Sequence, residues 1–133
     1  MKKTMKTSIL ILAVLCVMSI MTTTAYASTY SYYGNFDIYG GIEVKKQVQN
    51  PKALSVSTSC CVDDIQSQSC SLLVILYEKR TFGWKEIRNV EHPLQGSATT
   101  SFNKNISSSK TYKIYLRHFT GRLVSGSIAL EWD

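Results

Sequence analysis

The chain has 133 residues, with 15 Lys and Arg against 9 Asp and Glu. That length suits one small domain and excludes a multidomain machine. With 44% hydrophobic and only 18% charged residues, the composition excludes a disordered chain.

Met1 to Thr7 holds three lysines and no acid, and Ser8 to Met21 is an apolar run of 14 residues. A bilayer span needs roughly 20 residues, so the run reads as the core of an export signal of bacterial type. Small residues at Ala25 and Ala27 place the cleavage after Ala27. Cys16 follows Leu15, which does not suit a lipoprotein site. Residues 1–27 are therefore expected to leave as a signal peptide, and residues 28–133 to form one secreted, extracellular domain beginning at Ser28. Lys2, Lys3 and Lys6 leave with the signal, so 12 cations stand against 9 acids and the net charge falls from +6 to +3.

The mature chain alternates in the two-residue period of strands and is rich in Ser, Thr, Val, Ile and Tyr. Phe36, Ile38, Ile42, Val44 and Val48 share one parity, and Gly40-Gly41 reads as a bulge or kink within it. Leu54, Val56, Thr58 and Cys60 share the next face, opposite Ser55, Ser57 and Ser59. Cys70 to Arg80 is apolar on both faces, as in a central strand or one with a covered outer face. Trp84 to Glu91 reads as an edge strand, and Ala98 to Ile106 alternates through Phe102. Tyr112, Ile114 and Leu116 face one way in the sixth segment. Val124, Ile128, Leu130 and Trp132 do so in the last.

About seven strands with polar turns predict an all-β fold, a single small antiparallel β-sandwich. Ile106 precedes Tyr112 by six positions, and Tyr112 opens an alternating strand. This spacing resembles the tyrosine corner of immunoglobulin-like and fibronectin type III-like sandwiches, although the turn lacks their proline or glycine. The resemblance implies an immunoglobulin- or fibronectin type III-like sandwich with the Tyr112 hydroxyl bonded back to the backbone before its strand, and it implies nothing about activity.

Cys60, Cys61 and Cys70 remain after cleavage. An antiparallel register setting Leu54 by Leu76 and Val56 by Val74 brings Cys60 beside Cys70, so a Cys60–Cys70 disulfide is expected with Cys61 left over. Cys61 then becomes a free thiol or a bridge to a second copy. Asp63-Asp64 reads as solvated rather than as a calcium site, and no cofactor or metal is expected.

No Gly-x-Ser-x-Gly, His-Glu-x-x-His or phosphate-loop motif is present. His92 and His118 read as plain surface residues, and the acids lie in different strands. No enzyme is therefore expected, and no catalytic residue is assigned. Two surface features are binding candidates. One is the tyrosine-rich arm with Tyr30, Tyr32 and Tyr33, whose rings can stack on sugars or anchor proteins. The other is the pair Lys113 and Arg117, which share a parity and form a basic stripe. Leu73, Ile75 and Tyr77 need a cover, either the Ser28–Tyr33 arm, a second subunit or a partner.

The reading is a secreted, non-enzymatic bacterial binding protein at the cell envelope or on an extracellular partner. Its expected partners are a cell-wall polymer or another extracellular protein, and no nucleic acid. A dimer through Cys61 or the Leu73, Ile75, Tyr77 face belongs to the same reading. The alternatives are an antibacterial or membrane-active toxin and a small extracellular hydrolase.

Overall fold

The computed structural model describes residues 29–62 and 71–133. The expected signal peptide, Asp63-Asp64 and Cys70 lie outside the described residues. Nine strands and no helix occur among the described residues. They are β1 (Tyr30–Ile38), β2 (Gly41–Glu43), β3 (Val48–Gln49), β4 (Leu54–Cys61) and β5 (Ser71–Lys79), then β6 (Trp84–Pro93), β7 (Gly96–Ser101), β8 (Thr111–Arg117) and β9 (Val124–Trp132).

They form two antiparallel sheets, as the alternation predicts. Sheet A has the order β1-β9-β4-β7, and sheet B the order β2-β8-β5-β6 with β3 also on β8. The pairing is concentric. β1 pairs with β9, β2 and β3 with β8, β4 with β7, and β5 with β6. One long hairpin is thus folded over itself, the arrangement of a double-sheet jelly roll. An immunoglobulin domain keeps its last strand in the sheet of the strand before it. Here β9 crosses over and lies between β1 and β4. The sandwich stands as expected, with a jelly-roll strand order in place of the immunoglobulin one.

Most predicted faces hold, but Ile42, which shares the parity of Phe36 and Val44, is 38% exposed. Leu54, Val56, Leu72, Val74, Leu76, Leu116 and Leu130 are all fully buried. Phe102 and Tyr112 are the largest fully buried side chains. The tyrosine corner is present: the Ser107 backbone N–H donates to the Tyr112 hydroxyl at 2.6 Å. That hydroxyl also lies 3.4 Å from Glu78, a buried acid that pairs with Arg80 at 3.2 Å.

Three sequence expectations are corrected. Of the bulge or kink expected at Gly40-Gly41 the kink is found, and it is a change of sheet: the chain leaves sheet A at Ile38 and enters sheet B at Gly41, so the segment is not one strand. At Gly41 a side chain would run into the ring of Tyr115. Second, β4 and β5 are not neighbours. They sit in opposite sheets and present their apolar faces to the interior, so the register that set Leu54 by Leu76 does not exist. Alternation reports which face a residue takes, not which strand lies beside it.

The third correction concerns the cover over Leu73, Ile75 and Tyr77. Tyr30–Tyr33 belong to β1 in the other sheet, on β9. The outer face of β5 is instead flanked by its own neighbours: Lys113, Tyr115 and Arg117 of β8, and Glu86, Asn89 and Glu91 of β6. Ile75 is only 7% exposed on that face. Long side chains on adjacent strands lie over a central apolar one without a separate lid.

Candidate functional site

The outer face of sheet A gathers residues from four strands. β4 offers Ser55, Ser57 and Ser59, β7 offers Ser97, Thr99 and Ser101, and β9 offers Ser125, Ser127 and Ala129. Strand register aligns them into rows. One row runs Tyr33, Ala129, Ser57, Thr99, and the next runs Asn35, Ser127, Ser59, Ser97. The Ser57 and Thr99 hydroxyls lie 2.7 Å apart, and Ser97 donates to Ser59 at 3.0 Å. Neither row contains a charged side chain. Glu131 and Asp37 stand in the flanking rows.

Small side chains keep the middle of this face low, and Tyr33 stands beside it. The result is a shallow depression of about 450 Å³, lined by both rows. Each serine carries a donor and two acceptor lone pairs, so the surface can give and take hydrogen bonds without a fixed polarity.

The tyrosines expected to act together are split by the pleat. Only Tyr33 faces this platform, and it is 69% exposed. Tyr30 stacks on Trp132 with ring centres 5.8 Å apart. Tyr32 packs against the core, with its ring over Gly34. The expected basic stripe is also not a free surface. Lys113 pairs with Glu43 at 2.7 Å and lies over the Trp84 ring at 4.6 Å. Arg117 lies over the Phe119 ring at 4.6 Å. Both belong to sheet B, away from Tyr33.

Both histidines correct the surface expectation, since each is 2% exposed. His92 Nδ1 lies 2.6 Å from the Thr58 hydroxyl, and its Nε2 lies 2.8 Å from that of Thr100. It therefore ties β6 of sheet B to β4 and β7 of sheet A. Burial lowers its pKa, which favours the neutral ring. His118 Nε2 lies 2.9 Å from the Ile38 carbonyl. A carbonyl only accepts, so Nε2 carries the proton. Nδ1 then accepts from Thr120, whose hydroxyl is 3.0 Å away. All four ring nitrogens have structural partners.

Cys60 is buried and Cys61 exposed. As a thiol, Cys60 is pushed up to about 11 by burial. Such a group is a poor nucleophile near neutral pH. The expected bond partner, Cys70, lies outside the described residues. Among those residues no group of three or more His, Cys, Asp or Glu is placed to hold a metal ion.

Sequence reasoning missed the platform although its signal was visible. The serines of β4 and β9 alternate against the core residues, but only their pairing puts them in one plane.

No helix among the described residues is long and apolar enough to cross a membrane. No protein-family model matches the chain. No curated protein matches it either. Among solved structures it is similar to the Yersinia pseudotuberculosis-derived mitogen, at 10% identity and a TM-score of 0.44 over 79% of this chain and 84% of that one. It is also similar to a pilus protein of Bacillus endospore appendages, described as disulfide-linked, at 11% identity and 0.41 over 84% and 94%. A third is the Aeromonas hydrophila periplasmic inhibitor of g-type lysozyme, at 13% identity and 0.40 over 85% and 93%.

Proposed function

We propose that the chain is an exported, non-enzymatic binding protein that takes an uncharged, polyhydroxylated ligand on the outer face of sheet A. The ligand class is a glycan of the cell wall. The observation that carries this reading is the pair of uncharged rows, with hydroxyl partners at 2.7 and 3.0 Å beside the exposed Tyr33 ring. Sugar hydroxyls both donate and accept, and such a surface answers them in either sense. A sugar ring also presents an apolar face, against which an exposed aromatic ring packs. The reading as a binder is supported by the histidines, whose ring nitrogens are engaged within the fold and not offered to a substrate.

The test is co-sedimentation of the exported protein with purified insoluble cell wall. Ala129→Lys places a long cation in the middle of the face. Binding should fall at least about tenfold, or roughly 1.4 kcal/mol. A variant that sediments as well as the parent, with an unchanged circular dichroism spectrum, shows that the ligand sits elsewhere.

A further inference from the structure

The charges of the described residues are not spread evenly. The end of β5 lies beside the start of β8, with Glu78 opposite Tyr112. The start of β4 meets the end of β9, with Leu54 opposite Trp132. The segment between β3 and β4 joins these two ends: Asn50 N–H donates to the Lys110 carbonyl, and Lys52 N–H to that of Asp133. One end of the sandwich is thereby assembled from four connecting regions.

That end is rich in cations. Lys79, Arg80 and Lys85 flank the β5–β6 turn, and all three are exposed. Lys104 and Lys110 come from the β7–β8 loop, and Lys46 and Lys52 from the stretch before β4; all four are exposed. Several nearby acids are already engaged. Glu78 and Arg80 offset one another, and Glu43 is held by Lys113, while Glu86 keeps its charge and accepts from the neutral Asn89 amide. Glu131 and Asp133 remain as well. The opposite end has Arg117 and Arg122 with Asp37 and Glu91, so it lacks this excess.

Within the cations stand two exposed rings, Phe82 and the Tyr30 that stacks on Trp132. Phe82 is 95% exposed, more than any other large hydrophobic residue of the described chain. The turn that carries it is closed by a hydrogen bond from Arg80 N–H to the Gly83 carbonyl at 3.0 Å. Gly83 takes a φ of +82°, which a residue without Cβ adopts at no steric cost. The ring is therefore held out from the fold by a tight hairpin.

We infer that this end of the sandwich docks on an anionic lipid bilayer, with Phe82 entering the interface and the surrounding cations meeting the phosphate headgroups. Lysine and arginine near such a surface are drawn by its negative potential, and an aromatic ring gains by leaving water at the same depth. A soluble polyanion would reward the cations but offer the ring no apolar phase. Exposed Phe82 therefore favours the bilayer over a charged polymer. The surface is separate from the sheet A platform, and the two can be disabled one at a time.

The experiment uses the protein as recovered after export, sedimented with vesicles. One set holds phosphatidylglycerol and phosphatidylcholine in equal parts, and the other holds phosphatidylcholine alone. Soluble polyphosphate serves as the polymer probe. Binding to the anionic set alone is expected, weakened by high salt. Phe82→Ser should lower vesicle binding about fivefold or more and leave polyphosphate binding unchanged. Lys104→Gln with Lys110→Gln should lower both, and Ala129→Lys neither. Absence of vesicle binding overturns the inference, as does equal binding to both vesicle sets. Vesicle binding indifferent to Phe82→Ser overturns it in favour of a polyanion site. Phe82→Ser and the double lysine variant alter exposed residues, and an unchanged circular dichroism spectrum checks that each variant folds.

Discussion

His92 on β6 stands 2.6 Å from the Thr58 hydroxyl on β4, joining the two sheets through the interior. Its other nitrogen reaches Thr100 on β7 at 2.8 Å. A single polar ring thus links three strands. Leaving one of its nitrogens without a partner has a definite cost. Thr58→Val keeps the volume and removes the hydroxyl, and should destabilise the fold by about 1–3 kcal/mol. Urea unfolding would measure it, and a change below about 0.5 kcal/mol would show that water replaces the hydroxyl.

The same ring sets an acid limit. Burial lowers the His92 pKa below its ordinary 6.5 in the folded state. The unfolded chain therefore binds the proton more readily. Its neutral contribution to stability is complete above about pH 6.5 and is lost as pH falls through the folded value. The melting temperature should drop on acidification below pH 6.5. In His92→Gln the drop should be shallower over the same window, although the variant starts less stable. An identical acid slope in parent and variant would assign the effect to other groups.

Tyr112 fixes the entry to β8. Its hydroxyl accepts from Ser107 N–H at 2.6 Å while the ring is fully buried. Tyr112→Phe keeps the ring and strands that amide. The expected loss is about 1–2 kcal/mol, read as a lowered urea midpoint at unchanged slope. A neutral result would mean that the corner contributes nothing to stability in this turn.

Gly126 is required by close approach. A Cβ there would sit 2.5 Å from the Ser59 carbonyl oxygen and 2.8 Å from the Phe36 ring. The ring could shift, but the carbonyl belongs to the β4 backbone. Gly126→Ala should cost about 1–3 kcal/mol. Adding Phe36→Leu should restore only part of this. Full recovery in the double variant would identify the ring as the whole obstacle.

We expect the Cys60–Cys70 bond to form, although β4 and β5 are not paired. Its support is orientation: Cys60 faces the interior and Cys61 faces outward. The closed loop would add roughly 3 kcal/mol on the chain-entropy estimate. Peptide mapping without reduction should find Cys60 joined to Cys70, and Cys61 labelled by iodoacetamide in the folded protein. A Cys61–Cys70 peptide would reverse the assignment.

The sequence alone determined which face turns inward in the strands that alternate, though not in β5, which is apolar on both faces. Leu54, Val56, Tyr112 and Leu130 were all legible as core, because the two-residue period is a local property of an extended backbone. The corner at Tyr112 was legible for the same reason, since its partner lies five residues away. The tertiary structure alone decided which strands are neighbours. β1 pairs with β9 from Tyr30 to Trp132, and no local pattern specifies a partner that far along the chain. That pairing put β4 and β5 in opposite sheets and gathered the serines of β4, β7 and β9 into one plane. It also drew the lysines around Phe82 and buried His92 and His118. Alternation sets the side of the sheet, while register across distant strands sets the company each residue keeps.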